Sequence, residues 1–212
     1  NVPANLTVEC SAVPTAVTVT ATDNCDANVN VTMGEVRTNG SCPDGYILTR
    51  TWTATDNCGN TATASQVLTV EDKSAPVLTN VPAKITVECS AVPTAVTVTA
   101  TDNCDANVNV TMGEVRTNGS CPDGYVLIRT WTATDACGNS ATATQEVNVG
   151  DNSAPVLANV PANVTLRCDE SLPAGSLVTV TDLCDPNPRI VMNDVTTRGN
   201  CAGSYTVVRT WT

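Results

Sequence analysis

Hydrophobic and polar residues alternate along much of this chain with a period of two, most clearly between positions 50 and 63. Arg50, Trp52 and Ala54 alternate with three threonines. This is the pattern of a β-strand that has one face in a core and the other in water. Turn-forming residues interrupt the alternation at 56–60, and it resumes at Thr61. The stretch therefore predicts a β-hairpin.

The same pattern predicts several short strands in the first 79 residues, with turn-forming residues between them. No window has helical periodicity, and turns recur every 8 to 12 residues, roughly the interval found in β-sandwiches. These features predict an all-β fold made of antiparallel β-sandwiches. The predicted strands are 1–10, 16–22, 29–36, 46–55 and 61–70.

The predicted hairpin recurs at 129–142 and begins again at Arg209, which indicates a tandem repeat. Cys10, Cys89 and Cys168 are 79 residues apart, and 66 of 79 positions are identical in the first two copies. Because the sequence begins and ends within a copy, we expect it to be part of a longer array. Stacked end to end, such units predict an extended rod. The predicted domains are 1–72, 73–151 and 152–212, with the last strand of the third missing.

Eleven cysteines are distributed over the repeats as four, four and three. Within a repeat they lie 15 to 17 residues apart, and the chain has no histidine, which favours disulfide bonds over a zinc site. Four cysteines allow three connectivities, and spacing alone does not choose between them. Strands that alternate in direction place the first and third cysteines at one end of a unit. The predicted pairs are Cys10–Cys42, Cys25–Cys58, Cys89–Cys121, Cys104–Cys137 and Cys168–Cys201, and Cys184 has no partner assigned.

An arginine lies on the predicted inward face of each hairpin, which is unusual for a cation. Arg50 shares this face with Trp52, and an acid is expected opposite it on the neighbouring strand. We interpret this as an ion pair within the sheet, with the guanidinium near the indole, rather than as a ligand-binding arginine. The predicted pairs are Arg50–Glu35, Arg129–Glu114 and Arg209–Asp194.

Acidic residues cluster in the loops at one end of each unit and in the linker that enters there. One interpretation is that each aspartate caps its own turn. The other is that hard oxygen ligands at a joint bind calcium and stiffen the array. No calcium-loop motif is present, so we favour capping, and calcium is the only cofactor suggested. The calcium hypothesis involves Glu71, Asp72, Asp102, Asp105 and Asp135 at the first junction and Asp151, Asp182 and Asp185 at the second.

Threonine fills most outward positions, as expected of a good β-former. An ice-binding surface is not favoured, because nothing indicates a flat face. The chain also contains acceptor sequences for N-linked glycans, two of them in predicted turns at Asn39 and Asn118. The full set of sequons is Asn5, Asn30, Asn39, Asn109, Asn118 and Asn163.

Charge and composition exclude several functional classes. A net charge of −11 argues against nucleic acid and anionic membranes as partners. No apolar run reaches membrane-spanning length, so membrane insertion is not expected. Without histidine, the usual general base and nucleophile pairs are absent. We therefore predict that the chain is not an enzyme.

Particular segments resemble the hyalin repeat in a four-cysteine form. They are Ser74-Ala-Pro76, Ile85-Thr-Val-Glu88, Val98-Thr-Ala-Thr-Asp102 and the stretch from Trp131 to Thr142. The resemblance extends along every unit and implies an immunoglobulin-like sandwich of extracellular adhesive and matrix proteins. It implies no catalytic residues. The tryptophan and arginine stand where such repeats usually have smaller or apolar residues, and the cysteines are additional.

Near-identical units at a fixed interval favour a structural role. Our first hypothesis is an extracellular stalk, fibre or filament with an adhesive or structural function, assembled from neighbouring repeats or further copies of itself and carrying glycans. The second is an array of carbohydrate- or protein-binding modules that gains avidity from repetition. The third is a spacer within a larger secreted enzyme. All three place the chain outside the cell or on its surface, where disulfides persist.

Overall fold

The computed structural model describes residues 1–119, 124–167 and 169–212, without the side chain of Ser176. In these residues the regular structure consists of β-strands and short 3-10 helices, so the predicted all-β class is confirmed. None of the described helices is long or apolar enough to cross a lipid bilayer. The 3-10 helices are Cys10–Ala12, Cys89–Ala91 and Gly175–Leu177.

The first sequence repeat forms a four-stranded sheet with the order β1-β4-β3-β2. β3 pairs antiparallel with both β2 and β4, so β3 and β4 form the predicted hairpin. β1 pairs in parallel with β4, so this edge is not antiparallel as predicted. A parallel pair needs a long connection, and β2 and β3 lie between its two strands in sequence. The strands are β1 (Leu6–Glu9), β2 (Asn30–Asn39), β3 (Tyr46–Thr55) and β4 (Thr61–Glu71).

One predicted strand is absent from the first repeat, since residues 16–22 form none there. The equivalent segment of the second repeat forms only β7 (Thr99–Thr101), which pairs with β5 (Val77–Thr79). β5 lies near the start of the predicted domain 73–151. Because extended backbone needs a neighbour for its hydrogen bonds, β7 depends on β5 as its partner.

The later repeats reuse these pairings. In the second repeat the sheet order is β6-β10-β9-β8, and β6 is parallel to β10. In the third, β11 pairs with β12 and β13 pairs with β14. The chain is therefore a series of tandem β-sandwich repeats. The strands are β6 (Ile85–Glu88), β8 (Asn109–Asn118), β9 (Tyr125–Thr134), β10 (Ser140–Gly150), β11 (Val156–Ala158), β12 (Thr179–Thr181), β13 (Met192–Arg198) and β14 (Tyr205–Trp211).

The alternating pattern accounts for the core. On β3, Leu48, Arg50 and Trp52 are buried and the intervening threonines are not. On β9, Leu127, Arg129 and Trp131 repeat this arrangement. The facing positions of β4 and β10 add Leu68, Val70, Val147 and Val149. The first and second repeats therefore each have a thin aliphatic core around a single tryptophan.

By its internal contacts the chain divides into two compact units. The first contains residues 1–83, 95–115 and 128–145, and the second contains 84–94, 116–127 and 146–212. The domain boundaries predicted from the repeat period remain a prediction.

Candidate functional site

Among the described residues, three disulfide bonds join cysteines of consecutive sequence repeats. They are Cys10–Cys104, Cys42–Cys137 and Cys89–Cys184, with Cα–Cα distances of 5.8, 5.0 and 5.7 Å. The first two lie within the first compact unit and the third lies within the second. The predicted bonds Cys10–Cys42, Cys25–Cys58 and Cys104–Cys137 are therefore wrong. The predicted bond Cys89–Cys121 is also wrong, because Cys89 is bonded to Cys184. The predicted bond Cys168–Cys201 involves Cys168, which lies outside the described residues.

The prediction was wrong about which cysteines are bonded, but it placed the loops of Cys25 and Cys58 correctly at the same end of the repeat. The loops after Asp23 and after Asp56 do lie together, since Asn57 N donates to Asp26 Oδ2 at 3.0 Å. However, the cysteines at one end of a repeat meet those at the opposite end of the following repeat. Each bond consequently spans 94 or 95 residues of sequence. No strand pattern within one repeat contains that information.

Three cysteines are free thiols among the residues that the structure describes: Cys25, Cys58 and Cys201. All three are exposed. Cys184, which had no predicted partner, is bonded to Cys89.

The cysteine loops are shaped by aspartates that accept backbone hydrogen bonds. In the first repeat Asp23 Oδ1 accepts from the N–H groups of Cys25 and Asp26 at 2.8 and 3.0 Å. Asp56 Oδ1 accepts from those of Cys58 and Asn60 at 2.9 and 2.8 Å. These are the self-capped turns that the first interpretation of the acidic loops predicts. The second turn also requires a glycine with positive φ, at Gly59 (87°) and at Gly138 (94°).

At the junction of the first and second repeats, some aspartate carboxylate oxygens take no part in turn capping. Carboxylate oxygens of Asp72, Asp102 and Asp135 lie within 4.8 Å of one another. Asp72 is 7 % exposed and Asp135 is 6 % exposed. Asp72 Oδ2 and Asp102 Oδ2 are buried and have no hydrogen-bond partner among the described residues. Unpaired buried carboxylate oxygens are costly unless a cation or a donor reaches them.

The pKa values of Asp72 and Asp135 are shifted in opposite directions. Burial raises the pKa of Asp72, and the negative charges of Asp102, Asp135 and Glu9 add to the effect. Burial also opposes ionisation of Asp135, but hydrogen bonds from Asn139 and from the backbone outweigh it and lower the pKa of Asp135. A folded-state pKa above the unfolded value means that stability falls as pH rises through the interval between them. Ionised Asp72 therefore destabilises the junction at neutral pH unless a cation is bound.

The calcium hypothesis named more residues than the structure brings together. Glu71 forms an ion pair with Lys73 at 2.5 Å. Asp105 is occupied with capping, because its two oxygens accept from Asn107 N and Ala136 N. Sequence reasoning missed Glu9, whose carboxylate lies within 4.8 Å of a carboxylate oxygen of Asp72 and of the disulfide-bonded Sγ atom of Cys104. The sequence feature that could have identified Glu9 is its recurrence as Glu88 in the second repeat.

The junction of the second and third repeats lies within the second compact unit. There the residues equivalent to Glu9, Asp72 and Cys104 are again close together. Carboxylate oxygens of Glu88 and Asp151 lie within 4.8 Å of each other and of the Sγ atom of Cys184, which is not available as a ligand because it is bonded to Cys89. Asp182 Oδ2 is buried and without a hydrogen-bond partner in the described part of the chain. Asp185 accepts from Asn187 N and so caps its turn.

The predicted cross-strand ion pairs are present in all three repeats. Arg50 Nε lies 2.8 Å from Glu35 Oε2, Arg129 Nε lies 2.8 Å from Glu114 Oε2, and Arg209 Nε lies 2.7 Å from Asp194 Oδ1. Arg50 and Arg129 are buried. Arg50 Nη2 also donates to the carbonyl of Pro14 at 2.7 Å, and Arg209 Nη1 donates to that of Pro173 at 2.5 Å. The arginine therefore fastens the segment after the first cysteine onto the sheet, a role that strand alternation did not indicate.

Substituting Arg50 with leucine should lower the free energy of unfolding by about 1 to 3 kcal/mol, because the Pro14 carbonyl and Glu35 lose their donor. Urea unfolding measures the change. Glu35→Gln is the matched control and should cost less, since the Glu35 side chain is 41 % exposed and the amide can still accept. Unchanged or higher stability in Arg50→Leu would show that the pair does not hold the sheet.

Other arginines make the aromatic contacts of the described residues. The guanidinium carbons of Arg37 and Arg116 lie 3.7 and 3.6 Å from the ring centroids of Tyr46 and Tyr125. These cross-strand pairs at the end of the sheet were not anticipated. The sequons at Asn39 and Asn118, predicted to lie in turns, are the last residues of β2 and β8.

No family model and no curated protein matches the chain. Among solved structures, mouse protocadherin-24 EC1-3 is 13 % identical, with 100 % of this chain and 96 % of that chain covered and a TM-score of 0.36. Drosophila N-cadherin EC1-4 is 14 % identical, with 70 % and 48 % covered and a TM-score of 0.32. Protocadherin gammaB7 EC3-6, described as a cis-dimer, is 17 % identical, with 81 % and 58 % covered and a TM-score of 0.30.

This chain spans about half the length of the last two structures. At these identities and TM-scores the likeness assigns neither a family nor a function. The chain's own fold and bonds define its class. It is a tandem β-sandwich protein in which disulfides join each repeat to the next.

Proposed function

We propose that this chain is part of an extracellular structural or adhesive array, a stalk or fibre whose repeats are held in sequence by covalent bonds. The disulfides between consecutive repeats carry the proposal. A bond within a repeat stabilises only that repeat, whereas Cys10–Cys104 and Cys42–Cys137 make two repeats resist separation. A protein that works by reach and cohesion needs that property.

Several features support an extracellular site of action. Disulfides persist in oxidising compartments, and the net charge of −11 favours solubility over binding to nucleic acid. The resemblance to hyalin repeats belongs to this proposal as well. Turn capping and cross-linking organise the described cysteine loops, as is expected of a structural repeat.

Electron microscopy of the native material tests this function. We expect thin threads with a regular beading, and we expect them to form without any added ligand. Saturable binding of a carbohydrate or protein by dispersed, unassembled chains would instead support the binding-module hypothesis. A catalytic domain in the same polypeptide, with the repeats serving as its spacer, would support the third hypothesis.

We also propose that the group formed by Asp72, Asp102 and Asp135 binds a calcium ion. Calcium takes oxygen ligands at about 2.3 to 2.6 Å, so two ligands of one ion lie at most about 5 Å apart. The oxygens of the three aspartates meet this limit, since they lie within 4.8 Å of one another. The buried, unpartnered Asp72 Oδ2 and Asp102 Oδ2 give the ion two oxygens that nothing else occupies among the described residues. The bound ion would remove the penalty of ionised Asp72 and stiffen the junction.

Calcium at about 100 times its dissociation constant should stabilise the folded chain by about 2 to 3 kcal/mol. Calorimetric melting in calcium and in chelator measures the difference. Asp72→Asn should abolish the calcium effect. In chelator the same variant should be more stable than the parent at neutral pH and should lose the decline in stability above the ordinary aspartate pKa. The exposed Asp169→Asn is the matched control, and a calcium response that survives Asp72→Asn would exclude this site.

The glycan hypothesis gives a further measurement. Asn5 Oδ1 accepts a hydrogen bond from Val67 N at 2.8 Å, so glycosylation there would disturb the β1–β4 edge. Asn39 is exposed at the end of β2, beside a turn. We expect the mass of the native protein to exceed that of the polypeptide, with glycan on Asn39 and none on Asn5. An intact mass equal to that of the polypeptide would contradict the hypothesis, and Asn39→Gln serves as the control for site assignment.

A further inference from the structure

The strand β2 lies at one edge of the first sheet and lacks most of the features that protect an edge strand. The strand order is β1-β4-β3-β2, so among the described residues β2 pairs only with β3. It is ten residues long, contains no proline or lysine, and has a continuous register with β3 that no bulge interrupts. The opposite edge strand, β1, has only four residues. A long, regular edge of this kind favours pairing with a strand from another chain.

The ends of the sequence do not account for the exposure of this edge. A whole repeat follows β2, whereas β8, which has the same ten residues and also lies at a sheet edge, has a whole repeat before it. Val36 and Val115 are both 64 % exposed, and Met33 and Met112 are 44 % and 47 % exposed. The same open edge therefore occurs in two repeats that have different neighbours.

The backbone groups on the open side of β2 belong to its odd-numbered residues. Gly40, directly after β2, donates its N–H to the carbonyl of Gly45 at 2.9 Å and so continues the ladder with β3. Residues of an antiparallel ladder alternate between those bonded to the partner strand and those that point away from it. Met33, Glu35 and Arg37 consequently direct their N–H and C=O groups away from β3. A strand added at this edge would bond to these groups.

The charges of β2 select one antiparallel register with a second copy of the same strand. Charges on an edge strand usually repel a partner. When two copies of β2 pair about a two-fold axis through Val36, however, Glu35 of each copy lies opposite Arg37 of the other. A shift of two residues places Glu35 opposite Glu35 or Arg37 opposite Arg37, and like charges directly opposite destabilise a sheet. A shift of one residue places outward-pointing backbone groups opposite inward-pointing ones, so it forms no ladder.

The other face of β2 fits the same register. Val36 alternates with Glu35 and would contact its own counterpart at the two-fold axis, in a non-hydrogen-bonded pair where side chains are closest. Gly34 would lie opposite Thr38. A side chain at Gly34 would meet nothing within 4 Å, so packing within the chain does not account for this glycine. Glycine inside a strand often marks the close approach of another backbone, and here it leaves room for the threonine of the second copy.

We propose that the open edge of β2 pairs antiparallel with β2 of a second copy of this chain, with Val36 on the two-fold axis. The contact is isologous, because the same surface is used by both copies. β8 has the same sequence and offers the same kind of edge. A glycan on Asn39 would project from a face of the sheet and leave the backbone groups of the edge open. The inference rests on the proposed structural role and extends it from single threads to threads joined side by side.

Sedimentation equilibrium of the whole chain measures the association, which should increase with protein concentration. Val36→Lys combined with Val115→Lys should raise the dissociation constant by about tenfold or more, because two ammonium groups would face each other across the central pair. Val77→Lys combined with Val156→Lys is the matched control. Both of these valines are 63 % exposed and lie outside β2 and β8, and the control adds the same charge. It should associate like the parent, and urea unfolding verifies that both variants are folded.

Cysteine cross-linking tests the register in an equal mixture of unlabelled and nitrogen-15-labelled chains. Non-hydrogen-bonded pairs bring Cα atoms to about 4.5 Å, within the range of a disulfide bond. Val36→Cys should therefore give a bond between the position-36 thiols of one labelled and one unlabelled peptide. Gly34→Cys should form no such bond with itself and should form one when it is mixed with Thr38→Cys. Peptide mapping distinguishes these bonds from those of the native cysteines.

Three outcomes would overturn the inference. They are chains that stay monomeric at every concentration, even if they bind an extended peptide of another protein at this edge, association that is unchanged in the double lysine variant, and a Gly34→Cys chain that bonds to itself. Beaded threads that form but stay single would count only against this pairing. Paired chains that form no threads would count against the proposed function and not against the pairing.

Discussion

Removal of the Cys42–Cys137 bond by substitution of both cysteines with serine should lower the free energy of unfolding by about 4 to 5 kcal/mol. The bond closes a loop of 95 residues, and closing a loop of this length restricts the unfolded chain by about that amount in the chain-entropy account. The thin core, with one tryptophan per repeat and no phenylalanine, has little stability to compensate. Calorimetry or urea unfolding in the absence of reductant measures the change.

The control is Cys58→Ser, which alters a free thiol in the same type of loop as Cys137. In monomeric protein this variant should unfold like the parent, because no bond is lost. The reducing agent dithiothreitol should bring the parent down to the stability of the double variant or lower. If the melting temperature of the parent is unaffected by reductant, the bonds between repeats do not stabilise the chain.

The second large effect is expected for Trp131→Ala, at about 3 to 5 kcal/mol of lost stability. Trp131 is 2 % exposed and is the largest fully buried side chain in the described residues. It shares one face of β9 with Leu127, whose neighbours Val147 and Val149 complete a small cluster. Aliphatic side chains cannot fill the space that an indole leaves, so the cavity term adds to the lost transfer energy.

A matched substitution on the surface separates this effect from general sensitivity to mutation. Val115 is 64 % exposed, so Val115→Ala should change stability by less than about 0.5 kcal/mol. Urea unfolding of both variants with the disulfides intact gives the comparison. A loss below about 1 kcal/mol for Trp131→Ala would mean that the cross-links, and not the core, hold the second repeat together.

Strand alternation was sufficient to predict the hairpin and its ion pair. The predicted strand 46–55 has the bounds of β3, and Glu35 lies opposite Arg50 in the register. These features are local, since side chains on paired strands follow from the period of two. Residues 16–22 also alternate but form no strand. Alternation expresses a preference, and a strand additionally requires a partner for its backbone.

The roles of the aspartates at the junction of the first and second repeats were predicted only in part from the sequence. The sequence indicated that aspartates recur near the linker, and it favoured turn capping, which the loops of Asp56 and Asp105 do show. It did not reveal that single oxygens of Asp72 and Asp102 are left buried and unpartnered next to Asp135. Burial depends on how one repeat packs onto the next, and no run of adjacent residues encodes it.

The sequence by itself determined the all-β class, the repeat period, the pairing of Arg50 with Glu35 and the presence of disulfides, because each follows from spacing within a unit or between copies. Tertiary structure decided which cysteines are joined. The repeats are nearly identical, so Cys104 offers Cys10 the same chemistry as Cys25 does, and only distance distinguishes them. Distance across a junction is set by the packing of whole repeats, and for that reason the bonds that define this protein were not accessible from its pattern of residues.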